Sequence, residues 1–338
     1  MFLRKNNFLL SALLITLFSL AACKTDPKPP TKKDNKPTVQ KKRVKVPAFN
    51  KDSAYAYIAK QVSFGPRVPN MKSHTQCKEW LAAKLESFGA EVILQDFEAT
   101  AYTGTVLKAT NIIGRINPEN PKRIVLAGHW DTRHIADEDE DPNNHDKPIL
   151  GADDAGSGVG VLLELARLIQ ENPIDLGIDI VFFDAEDHGD SREGVNDPMS
   201  WCKGAQYWAK NHHVPNYTAQ FGILLDMVGG KNARFRKEGV SMHFAPTIMD
   251  KVWKLGQNMG YGDFFLNDLT YPITDDHRFV NELSDVRMID IINKPTDTTF
   301  VAHWHTQQDD MSGIDKETLH AVGQTVLAVC YRFSDGSF

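Results

Sequence analysis

Carboxylate and imidazole side chains follow the compact apolar segments of this 338-residue chain. The segment Arg123–Gly128 leads into His129 and Asp131, and the segment Ile178–Phe183 leads into three acids and a histidine. The residues placed in this way, or in loops of the same kind, are His129, Asp131, Asp154, Asp184, Glu186, Asp187, His188, Asp226, Asp275, Asp276, His277 and His305. Carboxylates that share one end of a fold repel one another unless something neutralises them. A divalent cation does so, and a mixed histidine and carboxylate set suits zinc, so the pattern predicts a zinc site.

Each of these features also has a simpler interpretation. An Asp that opens a helix is usually an N-cap, and for Asp153 we favour that or a loop role over a metal role. A glycine-rich loop such as Gly151–Gly158 can cradle phosphate, but this one carries two acids and no lysine. No single feature is decisive, whereas the whole set at successive strand ends is hard to explain without a metal.

The elements that must position these residues alternate along the chain. Strands are predicted where apolar runs are β-branched or alternating, and helices where apolar residues recur with helical spacing. The predicted strands are 91–97, 106–116, 123–128, 178–183, 221–225 and 286–292, and the chief predicted helices are 54–64, 74–88, 156–170, 201–211, 249–259 and 316–332. This order predicts an α/β fold, a three-layer sandwich with a mixed, mostly parallel central sheet flanked by helices. Sites in such folds lie at the carboxyl ends of the strands.

Composition narrows the class of protein further. Hydrophobic residues make up 41% of the chain and charged residues 24%, which is ordinary for a globular protein. The net charge of -6 provides no basic field, so we expect no nucleic-acid partner. The four cysteines show no regular spacing, which predicts buried or free thiols rather than a disulfide framework.

The N-terminal residues predict export. Arg4 and Lys5 precede an apolar run, and Leu20 to Cys23 resembles the cleavage box of bacterial lipoproteins. We therefore expect residues 1–22 to be a lipoprotein signal peptide, residues 23–48 to be a lipidated Cys23 and a disordered tether, and residues 49–338 to be a zinc-dependent catalytic domain. The predicted location is the bacterial cell envelope, with the lipid on Cys23 in the outer membrane and the enzyme facing the periplasm. An uncleaved anchor helix is the alternative, although the apolar run is short for one.

The chemistry-bearing motifs resemble the zinc-dependent exopeptidase clan. They are His129-Trp130-Asp131, Gly151-Ala152-Asp153-Asp154, Glu186-Asp187, Leu225-Asp226-Met227, Asp276-His277 and His305-Thr306. Within the clan, the chain is more similar to the bacterial glutaminyl-peptide cyclotransferases, or glutaminyl cyclases. Trp304 before His305, Asp275 before Asp276 and an aromatic at Phe300 carry this closer likeness, which extends from about Phe64 to the last helix.

The resemblance implies a set of roles. Zinc would be held by Asp154, Asp187 and His305, one ion per chain. Glu186, Asp226 and Asp275 would be the catalytic carboxylates, with Glu186 as the acid/base. Trp304, Phe300 and Ile273 would bind the substrate, although plain core packing is the alternative for the two aromatics. The substrate would be a peptide or protein with an N-terminal glutamine, cyclised to pyroglutamate with release of ammonia. The resemblance does not predict an oligomeric state.

Two departures from the animal cyclases bear on the site. Asp187 stands where those enzymes have Glu, and residues 188–194 lack the Trp that follows their base. Trp201 lies further along the chain, and the sequence does not say whether it contributes to the pocket.

The main alternative is an aminopeptidase with two zinc ions. All five ligand positions of that class are filled, since His129 and Asp226 could hold a second metal beside Asp154. If the chain is a cyclase, His129 is instead expected to support the ligands without binding the metal. A catalytically inactive binding module is disfavoured, because every ligand position and Glu186 are present.

Overall fold

The computed structural model describes residues 44–338. The predicted signal peptide, Cys23 and the tether up to residue 43 lie outside the described residues. Between Val44 and Phe338 there are eight α-helices: α1 (Lys51–Val62), α2 (Lys72–Ser87), α3 (Gly156–Glu171), α4 (Lys203–Lys210), α5 (Gly239–Phe244), α6 (Pro246–Gly256), α7 (Asp276–Leu283) and α8 (Lys316–Asp335). The strands are β1 (Glu91–Thr100), β2 (Val106–Ile116), β3 (Arg123–His129), β4 (Gly177–Phe183), β5 (Gly222–Asp226), β6 (Phe235–Lys237), β7 (Phe265–Leu269) and β8 (Met288–Ile292).

Six strands form one sheet in the order β1-β2-β4-β3-β5-β8, and β6 pairs with β7 in a small second sheet. Strand β3 runs parallel to both β4 and β5, and β5 runs parallel to β8. The β1–β2 and β2–β4 pairs are antiparallel. Parallel neighbours need a crossover connection, and helices supply it between β3 and β4, β4 and β5, and β5 and β8. The predicted mixed, mostly parallel sheet is confirmed.

Helices cover both faces of this sheet. On β3, Ile124 and Leu126 pack into the core beneath α1, α2, α3, α6 and α8. The intervening Val125 and Ala127 pack on the other face, with residues of α4 and α7. Successive side chains of a strand point to opposite faces, so apolar residues throughout β3 require cover on both sides. The predicted three-layer sandwich is thus confirmed.

The helix ends follow local chemistry. Asn50 caps α1, because its side chain accepts hydrogen bonds from the backbone N–H groups of Asp52 and Ser53. Helix α4 begins two residues later than predicted, since Cys202 has a left-handed backbone (φ 54°) that does not continue a helix. Gly336, at φ 81°, ends α8 in the conformation that favours glycine.

The segment before α1 is attached to α8. The backbone N–H of Phe49 donates to Gln324 Oε1 at 2.8 Å, and Gln324 Nε2 donates to the carbonyl of Pro47 at 3.1 Å. The backbone N–H of Val44 donates to Asp335 Oδ2 at 3.1 Å. Residues 44–48, the last of the predicted disordered tether, therefore lie against the folded domain. No helix within residues 44–338 is long and apolar enough to cross a membrane.

Candidate metal centre and pocket

Three of the predicted ligands meet at the carboxyl ends of the parallel strands. His305 Nε2 lies 3.0 Å from Asp187 Oδ1 and 3.9 Å from Asp154 Oδ2. One donor atom from each of the three lies within 4.8 Å of the others, and all three residues are buried. Within residues 44–338, Asp187 Oδ2 is buried and has no hydrogen-bond partner. A buried carboxylate oxygen that lacks a partner is costly, and a cation would satisfy it.

The loop that carries Asp154 is held from two sides. Asp309 accepts hydrogen bonds from the backbone N–H groups of Asp153 and Asp154, at 2.8 and 3.0 Å. The buried guanidinium of Arg67 donates to the carbonyls of Leu150 and Gly151, both at 2.7 Å. Gly151 has a φ of 61°, and a Cβ there would lie 2.3 Å from the Asp154 carbonyl, so only glycine fits.

Asp153 connects loops, which is one of the two roles, N-cap or loop residue, that its sequence position predicts. Its carboxylate accepts a hydrogen bond from the backbone N–H of Gly229 at 2.8 Å and lies 2.8 Å from His303 Nε2. The residue before α3 is Ala155, which makes no side-chain cap. Asp153 therefore joins three loops beside the metal centre.

The acidic pair Glu186-Asp187 is positioned by two residues to which the sequence analysis gave no role. Asp131 accepts from the backbone N–H groups of Glu186 and Asp187, at 3.1 and 3.2 Å. The fully buried Arg133 donates to the carbonyls of Asp187 and Gly189, at 2.9 and 3.0 Å. Both follow His129 closely in the sequence, so their place after β3 was the available signal.

The second nitrogen of His305 faces a carboxylate. Its Nδ1 atom lies 3.3 Å from Asp137 Oδ1. The guanidinium of Arg133 donates one hydrogen bond to each carboxylate oxygen of Asp137. Burial lowers the pKa of His305, but the charge of Asp187 and the contact with Asp137 outweigh it and raise the pKa to about 9. A carboxylate behind a ligand histidine is a common arrangement at zinc sites, so the donor set fits zinc.

A second group of donors shares Asp154. His129 Nε2 lies 2.9 Å from Asp154 Oδ1 and 3.3 Å from Asp226 Oδ1. These donors also lie within 4.8 Å of one another. Burial, with the charge of Asp154, raises the pKa of Asp226 to about 8, although its contact with His129 opposes the shift. Both groups therefore attract a positive charge, either a metal or a protonated histidine.

Glu186 lies beside these donors and is 8% exposed. Its Oε2 atom is 4.0 Å from His129 Nδ1, and its Oε1 atom accepts from the Cys202 thiol at 3.1 Å. Burial raises the pKa of Glu186 well above its usual value; His129 opposes this rise, and Asp187 adds to it. A carboxyl group whose pKa moves towards neutrality is suited to proton transfer.

A further group of acids lies behind Glu186. Asp275 caps α7 by accepting from the backbone N–H of Asp276 at 2.5 Å. Burial and the charge of Asp275 raise the pKa of Asp276 and that of Asp290 well above their usual values. His277 Nε2 lies 2.8 Å from Glu238 Oε2. The structure thus brings Asp275 near Glu186, while Asp276 and His277 lie at the buried start of a helix.

The metal centre opens into a cavity of about 310 Å³. Its lining includes Ile273, Phe300 and Trp304, the three predicted substrate-binding residues, together with Trp201 and the centre's own carboxylates. Phe300 and Trp304 pack with ring centroids 4.5 Å apart, and both remain partly exposed. Trp201 stacks parallel to His305 at 6.1 Å, and the guanidinium of Arg133 lies 4.6 Å from the indole centroid. Trp201 therefore forms one wall of the pocket, a contribution that the sequence alone did not predict or exclude.

Buried carboxylates and histidines at the carboxyl ends of parallel strands define a metal-dependent α/β enzyme. Residues 111–330 match peptidase family M28, and the chain belongs to that family. The resemblance found in the sequence is therefore confirmed.

Proteins similar to this chain include glutaminyl cyclases and a Zn-dependent exopeptidase. The chain is 55% identical to a glutaminyl cyclase of Bacteroides thetaiotaomicron solved with N-acetylhistamine bound, over 85% of this chain and 99% of that one, with a TM-score of 0.83. It is also 55% identical to a Zn-dependent exopeptidase of Parabacteroides distasonis, with the same coverage and a TM-score of 0.82. A glutaminyl-peptide cyclotransferase of Gloydius blomhoffii is 26% identical over 62% of this chain and 61% of its own length. The chain thus spans less than two thirds of that curated relative. The donor set and the solved relatives together support zinc as the metal.

Proposed function

We propose that this protein is a glutaminyl-peptide cyclotransferase, which converts an N-terminal glutamine of a peptide or protein to pyroglutamate and releases ammonia. The observation that carries the proposal is the aromatic cavity of about 310 Å³, which shares its lining with the metal centre and Glu186. The likeness to the glutaminyl cyclase of Bacteroides thetaiotaomicron supports it over 99% of that chain.

The pocket residues would enclose the glutamine side chain. Trp304, Phe300 and Ile273 offer apolar contacts beside the acidic residues of the cavity, and Trp201 closes a further side. Exclusion of water matters, because water that attacked the γ-carbon would produce glutamate instead of a ring. The acids of the same cavity would attract the substrate's positively charged α-amine.

Glu186 is the proposed acid/base. The α-ammonium first gives one proton to solvent. The neutral amine then attacks the γ-carbon to close a five-membered ring, and the Glu186 carboxylate takes a second proton from that nitrogen. The bond from that carbon to the amide nitrogen then breaks, and Glu186 returns its proton to the departing nitrogen, which leaves as ammonia. When bound, zinc supplies Lewis acidity towards the γ-carbonyl oxygen. Asp226 and Asp275 would share protons with the site, because close carboxylates cannot all ionise.

One zinc ion per chain is the proposed stoichiometry. Asp154, Asp187 and His305 would hold it, and three protein ligands with one open position are usual for catalytic zinc. His129 would then remain between Asp154 and Asp226, where it already contacts both carboxylates.

A two-zinc aminopeptidase is the second candidate. The observation that favours it is the approach of His129, Asp154 and Asp226, whose donors also lie within 4.8 Å of one another. Metal analysis of the purified protein separates the two, since about one zinc per chain fits the cyclase and about two fit the peptidase.

A direct assay tests the activity itself. A peptide with N-terminal glutamine is incubated with the protein and followed by mass spectrometry. Cyclisation lowers the mass by one ammonia, whereas a peptidase releases free glutamine. The matched control is the same peptide with an acetylated α-amine, which cannot form the ring. Release of glutamine without cyclisation would favour the aminopeptidase.

The cellular location is part of the proposal. The signal at residues 1–22 and the cleavage box before Cys23 support a lipid anchor in the bacterial outer membrane, with the catalytic domain in the periplasm. Mass spectrometry of the mature N-terminus tests it, with Cys23→Ala as the comparison. An intact Met1 on the mature wild-type protein would contradict the anchor.

A further inference from the structure

The thiol of Cys202 lies against the proposed acid/base. Cys202 Sγ is 3.1 Å from Glu186 Oε1, and the backbone N–H of Cys202 donates to the Glu186 carbonyl at 2.9 Å. Cys202 is fully buried and its φ is 54°. A non-glycine residue in this left-handed conformation costs free energy, so surrounding contacts must hold it there.

This contact is the one hydrogen bond made by the Glu186 carboxylate to any residue in the range 44–338. The other oxygen, Oε2, lies 4.0 Å from His129 Nδ1, beyond hydrogen-bond distance. Burial and the charge of Glu186 raise the pKa of the Cys202 thiol well above its usual value. The sulfur therefore keeps its proton and acts as a donor.

We propose that Cys202 is a positioning residue for Glu186: its S–H group holds Oε1 and leaves Oε2 directed to the α-amine of the bound substrate. The proposal rests on the role given to Glu186 above. A carboxylate with one tethered oxygen keeps a single orientation, and proton transfer depends strongly on that orientation. Cys202 itself touches neither the substrate nor the metal donors in this scheme.

The test compares donors of different kinds at position 202. Cys202→Ala removes the donor, and Cys202→Ser replaces it with a hydroxyl of similar shape. Cys330→Ala is the matched control, because Cys330 is equally buried but packs in the core around α8, away from the site. For each protein, kcat and KM for an N-terminal glutamine peptide, zinc content and thermal midpoint are measured.

We expect Cys202→Ala to lower kcat about tenfold or more with little change in KM, because the lost interaction aligns the base rather than binding the substrate. Cys202→Ser should recover most of the lost kcat. Cys330→Ala should keep the wild-type kcat, and zinc content should be unchanged throughout. A wild-type kcat in Cys202→Ala would overturn the proposal. An equal loss in the Ser and Ala variants would also overturn it, because a loss of packing would then be the cause.

Failure of the Cys202 proposal can be distinguished from failure of the proposed cyclase function. Cyclisation by the wild-type protein is established first, and its absence contradicts the cyclase assignment alone. If the protein is a peptidase, the same variants are compared by glutamine release, since Glu186 is the proposed base in both reactions. Should Cys202→Ala unfold, Cys202→Ser decides the matter: a kcat reduced tenfold in a folded, zinc-loaded Ser variant would count against the thiol's role as a replaceable donor.

Discussion

Asp137 faces His305 from behind, with Oδ1 3.3 Å from the Nδ1 atom of the ring. The opposite nitrogen, Nε2, points to Asp187 at 3.0 Å. Arg133 binds both oxygens of Asp137 and stacks on Trp201 as well. One buried guanidinium thereby connects the orientation of a metal ligand with the position of a pocket wall.

This relationship predicts that Asp137→Ala weakens zinc binding. Loss of the carboxylate behind the ligand histidine should reduce zinc affinity by about 10- to 100-fold. Competition with a chelator, read out by zinc content, measures the change. The exposed Asp141→Ala is the control and should bind zinc as the wild type does. Unchanged affinity in Asp137→Ala would show that His305 is oriented by other contacts.

Glu186→Gln should retain zinc and the wild-type fold but lose proton transfer. The amide fills the same space and cannot act as a base, so kcat should fall by about 10²- to 10⁴-fold. The assay is cyclisation of the glutamine peptide at saturating substrate, with zinc analysis in parallel. Exposed Glu119→Gln should be as active as the wild type. Substantial turnover by Glu186→Gln would remove Glu186 from its role.

Trp201→Ala should open one wall of the pocket. We expect KM to rise about tenfold, because a large apolar contact is lost, and we expect a smaller rise for Trp201→Phe. Zinc content should stay constant, since Trp201 is not a donor. If KM were equal for wild type and Trp201→Ala, substrate would not contact this wall.

Glu238 makes stability depend on pH. Burial alone would raise its pKa, but the charge and contact of His277 outweigh burial and lower the pKa to about 2, from an ordinary 4.5. A carboxyl group with a lowered folded-state pKa stabilises the fold above its unfolded pKa, and this stabilisation is lost as pH falls from 4.5 to about 2. The pKa of His277 is raised above 6.5 by the same pair, so its contribution is fully present below pH 6.5 and is lost on the alkaline side.

Urea unfolding across this pH range measures the effect. Glu238→Gln should be less stable than the wild type at pH 5 to 6, and the difference should shrink as pH falls towards 2. Glu282→Gln, on the exposed side of α7, controls for the change of net charge. A wild-type to Glu238→Gln difference that does not vary with pH would rule out the ion pair as its source.

The strand and helix pattern predicted most of the fold, because β3, β4, β5 and β8 consist mainly of consecutive apolar residues, which are buried when both faces of the sheet are covered. The short β6, β7, α5 and α7 were not predicted, since three to eight residues give too little periodicity. The residues expected at the metal centre meet there because parallel strands end at one edge. Asp131, Arg133 and Asp309 escaped prediction as positioning groups because they bind backbone groups distant in the sequence. Asp137 escaped it because the imidazole that it faces, His305, is also distant in the sequence.

The segment from Val44 to Phe49 is attached to α8, and this attachment determines how the domain would respond to a force on its N-terminus. A pull on the chain ahead of Val44 would load the hydrogen bonds to Gln324 and Asp335 first. Helix α8 passes that load to α1, α3 and α6, which pack against it. The loops that carry Asp187, Trp201 and Ile273 are not among these contacts, but the loop that carries Asp154 leads directly into α3, so this route ends at one side of the metal centre.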